Sequence, residues 1–231
     1  MNISIIGTGN IGKILARRFT EHGHSVRITN SRGAASLADF ATEIGAQACD
    51  IDQVVDDADV IVVTIPQLNV PQLPKGLFDR AKTSAIVIDT GNYYPRERDG
   101  KIAEIEAGQL ESVWVENHLR HPVIKAFNNI YATHLDQLAS APGASRRIAL
   151  PVAGDNPQAK QVVFGLVSEV GFDAVDTGTL SESWRQQPGT PVYTADLDIA
   201  GTQAALERAS QTRTAQWTAT TASPGTFEQP A

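Results

Sequence analysis

The sequence predicts an α/β fold: a doubly wound, mostly parallel sheet of about eight strands with a helical extension at its C-terminal end. Three observations carry that expectation. Short β-branched runs alternate with segments whose apolar residues recur at helical spacing. Several of those runs, Val60-Ile61-Val62-Val63 above all, are apolar at every position, as strands buried on both faces are. The first run ends in a glycine-rich turn that opens directly into a helical segment.

Asn2 to Ile6 is the first strand, and Ile11, Ile14, Leu15 and Phe19 mark the helix that follows it up to Gly23. Ser25 to Thr29 alternates as a strand, and Leu37, Phe40, Ala41 and Ile44 stripe the next helix, which stops before Gly45. Ala46 to Cys49 reads as a third short strand, Ile51 to Asp57 as a short helix, and Val60 to Ile65 as a strand that Pro66 ends. Ala85 to Ile88 is the next apolar strand, followed by the turn-rich Asp89-Thr90-Gly91-Asn92 and a helix over Ile102 to Glu111. Val123 to Phe127 and Ile148 to Ala153 are further strands, separated by a polar helix around Tyr131 to Leu138 and the loop Ala141-Pro142-Gly143. The helix Asn156 to Val170 has Asp155 or Asn156 as its cap, Pro157 in its first turn and Gly171 at its close. Strand Ala174 to Asp176 comes next.

The first three strands are expected in the order 3-2-1, with later ones added beside the fourth. Beyond Thr179 the alternation stops. Trp184-Arg185-Gln186-Gln187-Pro188-Gly189 reads as an aromatic and polar loop or helix end, Asp196 to Ala219 as alanine-rich helix, and the tail from Thr220 has little to fold with.

Composition narrows the functional classes. A chain of 231 residues with 42% hydrophobic and 19% charged residues has the balance of a globular protein. A net charge of −7 argues against a broad nucleic-acid or anionic-lipid surface, because either needs a cationic face to replace counterions. The single cysteine, Cys49, forms no internal disulfide and reads as a buried structural thiol. No basic segment precedes the first apolar run, and no run approaches a membrane span, so a cytoplasmic protein without membrane contact is expected.

Gly7-Thr8-Gly9-Asn10-Ile11-Gly12 is G-x-G-x-x-G, and its place between a strand and a helix makes it a dinucleotide-binding Rossmann turn. Gly7 permits the tight turn, Gly9 admits a pyrophosphate to the backbone, and Gly12 lets helix and strand pack closely. Amide groups at the helix start, together with its dipole, then face an anion.

The end of the second strand selects the dinucleotide. An acid there holds the ribose 2′-hydroxyl of NAD, whereas a cation suits the 2′-phosphate of NADP. Thr29-Asn30-Ser31-Arg32-Gly33 has no carboxylate before Asp39 and offers Arg32 for the phosphate, with Ser31 and Asn30 as hydrogen-bonding neighbours. NADP(H) is the expected cofactor. On this reading residues 1–178 are the dinucleotide-binding α/β domain, and 179–231 are a loop, helix and tail packing on it or on a partner subunit.

The glycine turn, Asn30-Ser31-Arg32, Lys125-Ala126-Phe127-Asn128 and Val152-Ala153-Gly154-Asp155 occur in register, and over about residues 1–178 the chain resembles the coenzyme F420-dependent NADP oxidoreductases. It is also similar to the cytoplasmic domain of the STEAP metalloreductases. The resemblance implies hydride exchange between NADP(H) and a flat acceptor, a deazaflavin (coenzyme F420) or a flavin, often within a homodimer. It further implies that Gly7, Thr8, Gly9, Asn10 and Ile11 hold the pyrophosphate, and Asn30, Ser31 and Arg32 the adenosine phosphate. Ile65 and Pro66 border the cofactor, Ala132 brings backbone near the nicotinamide, and Asn128 lies beside it. Asp89 to Asp99 and the stretch after Thr179 depart from the family pattern.

Trp184 and Arg185 are read equally as a stacking wall with an anion contact or as a core plug with a helix cap. The cleft is expected to be roofed by Thr179 to Tyr193. His118 and His121 lack the companions a metal site needs, so no metal is expected, and His22 and His24 sit at a helix end where cations are favoured. His134 has no evident partner in the sequence, and Lys125 is read as structural. No side chain is identified as acid or base, which suits hydride transfer governed by positioning. Two other functions fit the same motifs: an NADP(H)-binding redox sensor without turnover, and an imine or pyrroline-carboxylate type reductase.

Overall fold

The structure is a computed structural model and describes residues 1–225. Its strands are β1 (Asn2–Ile6), β2 (Ser25–Thr29), β3 (Gln47–Ala48), β4 (Val60–Val63), β5 (Ile86–Asp89), β6 (Val123–Lys125), β7 (Ala149–Ala153) and β8 (Asp173–Gly178). They form one eight-stranded sheet in the order β3-β2-β1-β4-β5-β6-β7-β8. Neighbours pair in parallel except β6 and β7, which meet antiparallel at Lys125 and Ala153. The order reverses between β1 and β4, and that reversal opens a crevice at the carboxyl ends of these strands.

Burial on both faces explains the continuous apolar runs. Val60 and Val62 of β4 join a core layer with Leu15, Phe19, Ile28 and Val163, while Ile61 and Val63 face a second layer with Trp114, Val115, Phe78 and Tyr93. Helices α1 (Asn10–Glu21), α2 (Ala38–Ile44), α5 (Ala132–Gln137) and α6 (Pro157–Glu169) lie on the first face. Helices α3 (Ala103–Glu106) and α4 (Glu111–Leu119) lie on the second, and α7 (Ile199–Glu207) packs against β7 and β8.

Several boundaries differ from the sequence reading. The helix expected over Ile102 to Glu111 is two helices, because the chain turns at Gly108 with φ +103° and restarts as α4. The third strand shrinks to two residues, and the helix expected over Ile51 to Asp57 is a 3-10 turn over Ile51–Gln53. The alanine-rich stretch Asp196 to Ala219 is helical only over Ile199–Glu207, opened by Asp198, whose carboxylate accepts the Gly201 amide at 2.8 Å. Of the two candidate caps of α6, Asn156 accepts the Ala159 amide, while Asp155 accepts that of Leu180.

The chain after Thr220 was expected to have little to fold with, yet Arg96 Nη1 donates to the carbonyls of Thr221 and Ser223 at 2.7 Å. The last residues of the tail, 226–231, lie outside the described part. Cys49 is buried and unpaired, with its thiol pushed up by burial. Among the described residues no helix is long and apolar enough to cross a membrane, and no cluster of potential ligands could hold a metal.

Candidate functional site

The glycine turn is held by its glycines in three different ways. Gly7 has φ +104°, and a Cβ there would fall 2.3 Å from the carbonyl oxygen of Thr64. At Gly12 a Cβ would fall 2.1 Å from the carbonyl oxygen of Gly7, so the helix can approach the strand only without one. Gly9 has nothing within 4 Å of such a Cβ and faces open space. No side chain caps the start of α1, so the first-turn amides are left for a ligand. An uncapped helix start behind an open glycine is the cradle a pyrophosphate fits, and NADP(H) suits this turn on that ground.

The end of β2 builds the adjoining wall. Asn30 Oδ1 accepts from the Arg32 amide at 2.8 Å and from Ser36 Oγ at 3.1 Å, and Asn30 Nδ2 donates to Thr8 Oγ1 at 3.3 Å. Asn30 thus works as a splice between the two turns. Ser31 and Arg32 are exposed beside it, and among the described residues the Arg32 guanidinium makes no hydrogen bond or ion pair. Asp50 and Asp52 enter the same wall from beyond β3, which the spacing around Arg32 did not reveal. The Asp50 carboxylate is engaged by the Ala34 amide at 3.2 Å.

Two chambers meet at this turn. A larger one of about 830 Å³ runs past Gly7, Thr8, Asn30, Ser31 and Arg32. A smaller one of about 400 Å³ lies past Asn10 and Ile11 between the ends of β4, β5 and β6. Gly9, Thr64, Ile65 and Pro66 line both. The twelve residues singled out in the sequence all border these chambers: Asn128 and Ala132 line the smaller one.

Behind the smaller chamber lies a buried chain of amides. Asn92 Nδ2 donates to the Asn128 carbonyl at 2.7 Å, and Asn128 Nδ2 returns a bond to Asn92 Oδ1 at 2.9 Å. Asn128 Nδ2 also donates to the Gln186 carbonyl at 2.8 Å, while Gln186 Nε2 donates to Asn128 Oδ1 at 2.9 Å and to the Pro151 carbonyl at 3.0 Å. Backbone carbonyls only accept, so those of Asn128, Gln186 and Pro151 fix which end of each amide is the nitrogen. Phe127, buried with φ +62°, supplies the sharp turn after β6 that aims Asn128 into this chain.

The wall of the smaller chamber also holds Asn92, Tyr94, Arg98 and Tyr193, which were not among the site residues read from the sequence. They come from loops with no spacing signal. Asn92 Nδ2 donates to Tyr94 Oη at 3.2 Å, and the Tyr94 and Tyr193 hydroxyls are hydrogen-bonded to each other. The Arg98 guanidinium lies 4.8 Å from the Tyr94 ring centroid and donates to the Asn92 carbonyl at 2.5 Å and to Asp99 Oδ2 at 2.9 Å. Burial raises both phenols. At Tyr94 the bond shared with Tyr193, Arg98 and the Asn92 amide oppose that rise, whereas at Tyr193 the neighbouring Tyr94 adds to it.

Trp184 and Arg185 are absent from both chambers, so of their two readings the structure favours the packing role over the wall. Arg185 stacks on Trp184 at 4.4 Å and donates to Glu182 and to the Leu206 carbonyl, so the two fasten α7. Only Tyr193 of the expected Thr179 to Tyr193 roof reaches the chamber, joined by Thr194. Lys125 is buried against Asp89 at 2.9 Å. His134, without an evident partner in the sequence, has Nδ1 2.5 Å from Asp196 Oδ2, brought in by the segment before α7. His118 and His121 each bond a local backbone carbonyl, and His24 pairs with Glu169 at 2.7 Å.

Comparison with known proteins agrees with this geometry. Residues 2–93 match the family described as NADP oxidoreductase, coenzyme F420-dependent. Among curated proteins, YjhV of Escherichia coli K12 is 52% identical over 58 residues, 25% of this chain and 42% of that one. The 3-sulfolactaldehyde reductase of the same organism is 28% identical over 111 residues, 46% of this chain and 36% of that enzyme. The matches therefore span less than half of either curated relative.

Among solved structures, SMa0349 of Sinorhizobium meliloti, a protein of no assigned activity, aligns with TM-score 0.69 and 29% identity over 84% of this chain and 93% of that one. A provisionally assigned F420-dependent NADP-reductase of Arthrobacter sp. FB24 aligns with TM-score 0.63 and 19% identity over 79% and 87%, a likeness of fold. The matched segment, residues 2–93, includes the glycine turn, Arg32 and the ends of β4 and β5, and in it the chain is similar to the coenzyme F420-dependent NADP oxidoreductases.

Proposed function

We propose that the protein is an NADP(H)-dependent oxidoreductase that reduces or oxidises a flat redox acceptor, a deazaflavin such as coenzyme F420 or a flavin. The observation that supports this most is the continuity of the cleft: Gly9, Thr64, Ile65 and Pro66 join the chamber of Arg32 to the chamber of Tyr193. A dinucleotide laid along it has its phosphates at the start of α1 and its far end beside Pro66, Asn128 and Ala132. Bound NADPH supplies a hydride.

The chain's own part is positioning. Arg32 and Ser31 hold the adenosine end, the first-turn amides of α1 hold the pyrophosphate, and the amide chain through Asn128 keeps the smaller chamber rigid. Aromatic walls from Phe127, Tyr94, Tyr131 and Tyr193 suit a planar acceptor. We further propose a homodimer acting in the cytoplasm, in line with the resemblance and the reducing environment that suits Cys49. NADPH consumption with a deazaflavin, FMN, a quinone and a ferric chelate as alternative acceptors tests the reading. Turnover with one of the first two supports it, and NADPH binding without turnover on any would favour a redox sensor.

A further inference from the structure

The structure offers a proton source that the sequence did not. We propose that Tyr193 is the acid that protonates the acceptor, and that Tyr94 refills it along a fixed hydrogen-bond chain from Asn92. The proposal rests on the oxidoreductase reading of the preceding section.

The amides set which end of Asn92 meets Tyr94. Asn92 Oδ1 is taken by Asn128 Nδ2, and Asn92 Nδ2 donates to the Asn128 carbonyl, so the Asn92 nitrogen is the end that meets Tyr94. Tyr94 Oη therefore accepts from Asn92, and since either hydroxyl can donate in the Tyr94–Tyr193 bond, the relay uses the arrangement in which the Tyr94 proton lies towards Tyr193 Oη. Tyr193 then has its proton left over in a wall of the smaller chamber. Trp217 packs against both rings, its centroid 6.4 Å from that of Tyr94 and 5.9 Å from that of Tyr193, and holds the pair together.

The charge has a place to go. An acceptor that has gained a hydride carries an electron pair on its heteroatom. That pair takes the proton of Tyr193 Oη, Tyr193 takes the proton of Tyr94 Oη, and the Tyr94 phenolate is reprotonated by solvent. While it lasts, that phenolate is bonded by Asn92 Nδ2 and faces the Arg98 cation. The step consumes one solvent proton and one hydride per acceptor and needs no other reactant.

The titratable and charged groups around the pair are Arg98 with its partner Asp99, Tyr131, and the buried Glu111 paired with Arg213. Glu111 opposes ionisation of both phenols and Arg98 favours it at Tyr94. None of these groups stands between Asn92, Tyr94 and Tyr193 in the chain of bonds.

The test compares wild type with Tyr193→Phe and Tyr94→Phe, each of which removes one hydroxyl and keeps the ring. First, tyrosinate absorbance is followed against pH in the cofactor-free proteins. Coupling predicts that removing either hydroxyl shifts the titration of the phenol that remains. Two phenols that each titrate unchanged when the other is removed would overturn the relay. Second, NADPH oxidation is measured with FMN and with a deazaflavin across pH. With NADPH affinity and Tm retained, Tyr193→Phe is expected to lower kcat about 100-fold and to make it fall with rising pH through neutrality, as hydronium replaces the phenol.

A Tyr193→Phe enzyme with wild-type kcat and pH profile would overturn the relay and leave the oxidoreductase reading standing. A wild type that binds NADPH and turns over neither acceptor would overturn that reading and the relay with it.

Discussion

Asn92 and Asn128 bond each other twice, side chain to carbonyl at 2.7 Å and side chain to side chain at 2.9 Å, and so clamp the loop after β5 to the loop after β6. Both residues are buried. The clamp fixes the floor of the smaller chamber, and Gln186 extends it to β7. Asn128→Ala removes three of these bonds and strands the donors and acceptors of Asn92 and Gln186. A loss of about 2 to 4 kcal/mol is expected, read as a lower midpoint of denaturant unfolding at unchanged slope. NADPH affinity measured well below that midpoint should fall less than kcat, because the clamp lies at the nicotinamide end.

Arg32 is exposed at the rim of the larger chamber and its guanidinium is uncommitted among the described residues. Arg32→Ala should weaken NADPH binding by about 1.5 to 3 kcal/mol, the worth of a hydrogen bond to a charged group, and leave NADH nearly unchanged. Titration calorimetry with both cofactors measures it. Equal losses for the two would refute the assignment of Arg32 to the 2′-phosphate.

Gly9 and Gly12 separate binding from folding. Gly9 sits at φ −73° with open space ahead of it, so Gly9→Ala should leave Tm unchanged and cut NADPH affinity at least about tenfold by filling the approach to the backbone. Gly12→Ala places its methyl 2.1 Å from a backbone oxygen that cannot move freely, and Tm itself should drop by the equivalent of about 1 to 3 kcal/mol. Thermal melts of the two variants beside NADPH titrations distinguish these outcomes.

Lys125 and Asp89 form a pair whose side chains are 1% and 2% exposed, with Asp89 also holding the Gly91 amide at 2.8 Å. Lys125→Met leaves the Asp89 charge buried without its cation, for an expected loss of about 3 to 5 kcal/mol. The double variant Lys125→Met with Asp89→Asn should recover part of that loss. Chemical denaturation of the set checks both expectations.

The parts of the fold legible in the sequence were those in which a local pattern meets a global requirement. β4 is apolar throughout because it is covered on both faces, and the glycines stand at fixed offsets because Gly7 and Gly12 each meet a backbone oxygen closely while Gly9 leaves the space ahead of it open. The break between α3 and α4 was hidden because apolar residues on both sides of Gly108 keep a helical spacing. The tyrosine pair was hidden for another reason. Tyr94 and Tyr193 are 99 residues apart and meet through loops, so nothing in the spacing of either announces the other. Trp184 and Arg185 fitted a wall or a packing role equally by chemistry alone, and only the path of the chain into α7 shows that they fasten a helix.

The measurement that bears most directly on the central claim is a crystal structure of the protein with NADP+. The 2′-phosphate is expected against Arg32, the pyrophosphate over Gly9 at the start of α1, and the nicotinamide in the smaller chamber between Pro66 and the tyrosine pair. A dinucleotide lying elsewhere, or one whose nicotinamide stays outside the chamber lined by Asn128, Ala132 and Tyr193, would contradict that claim.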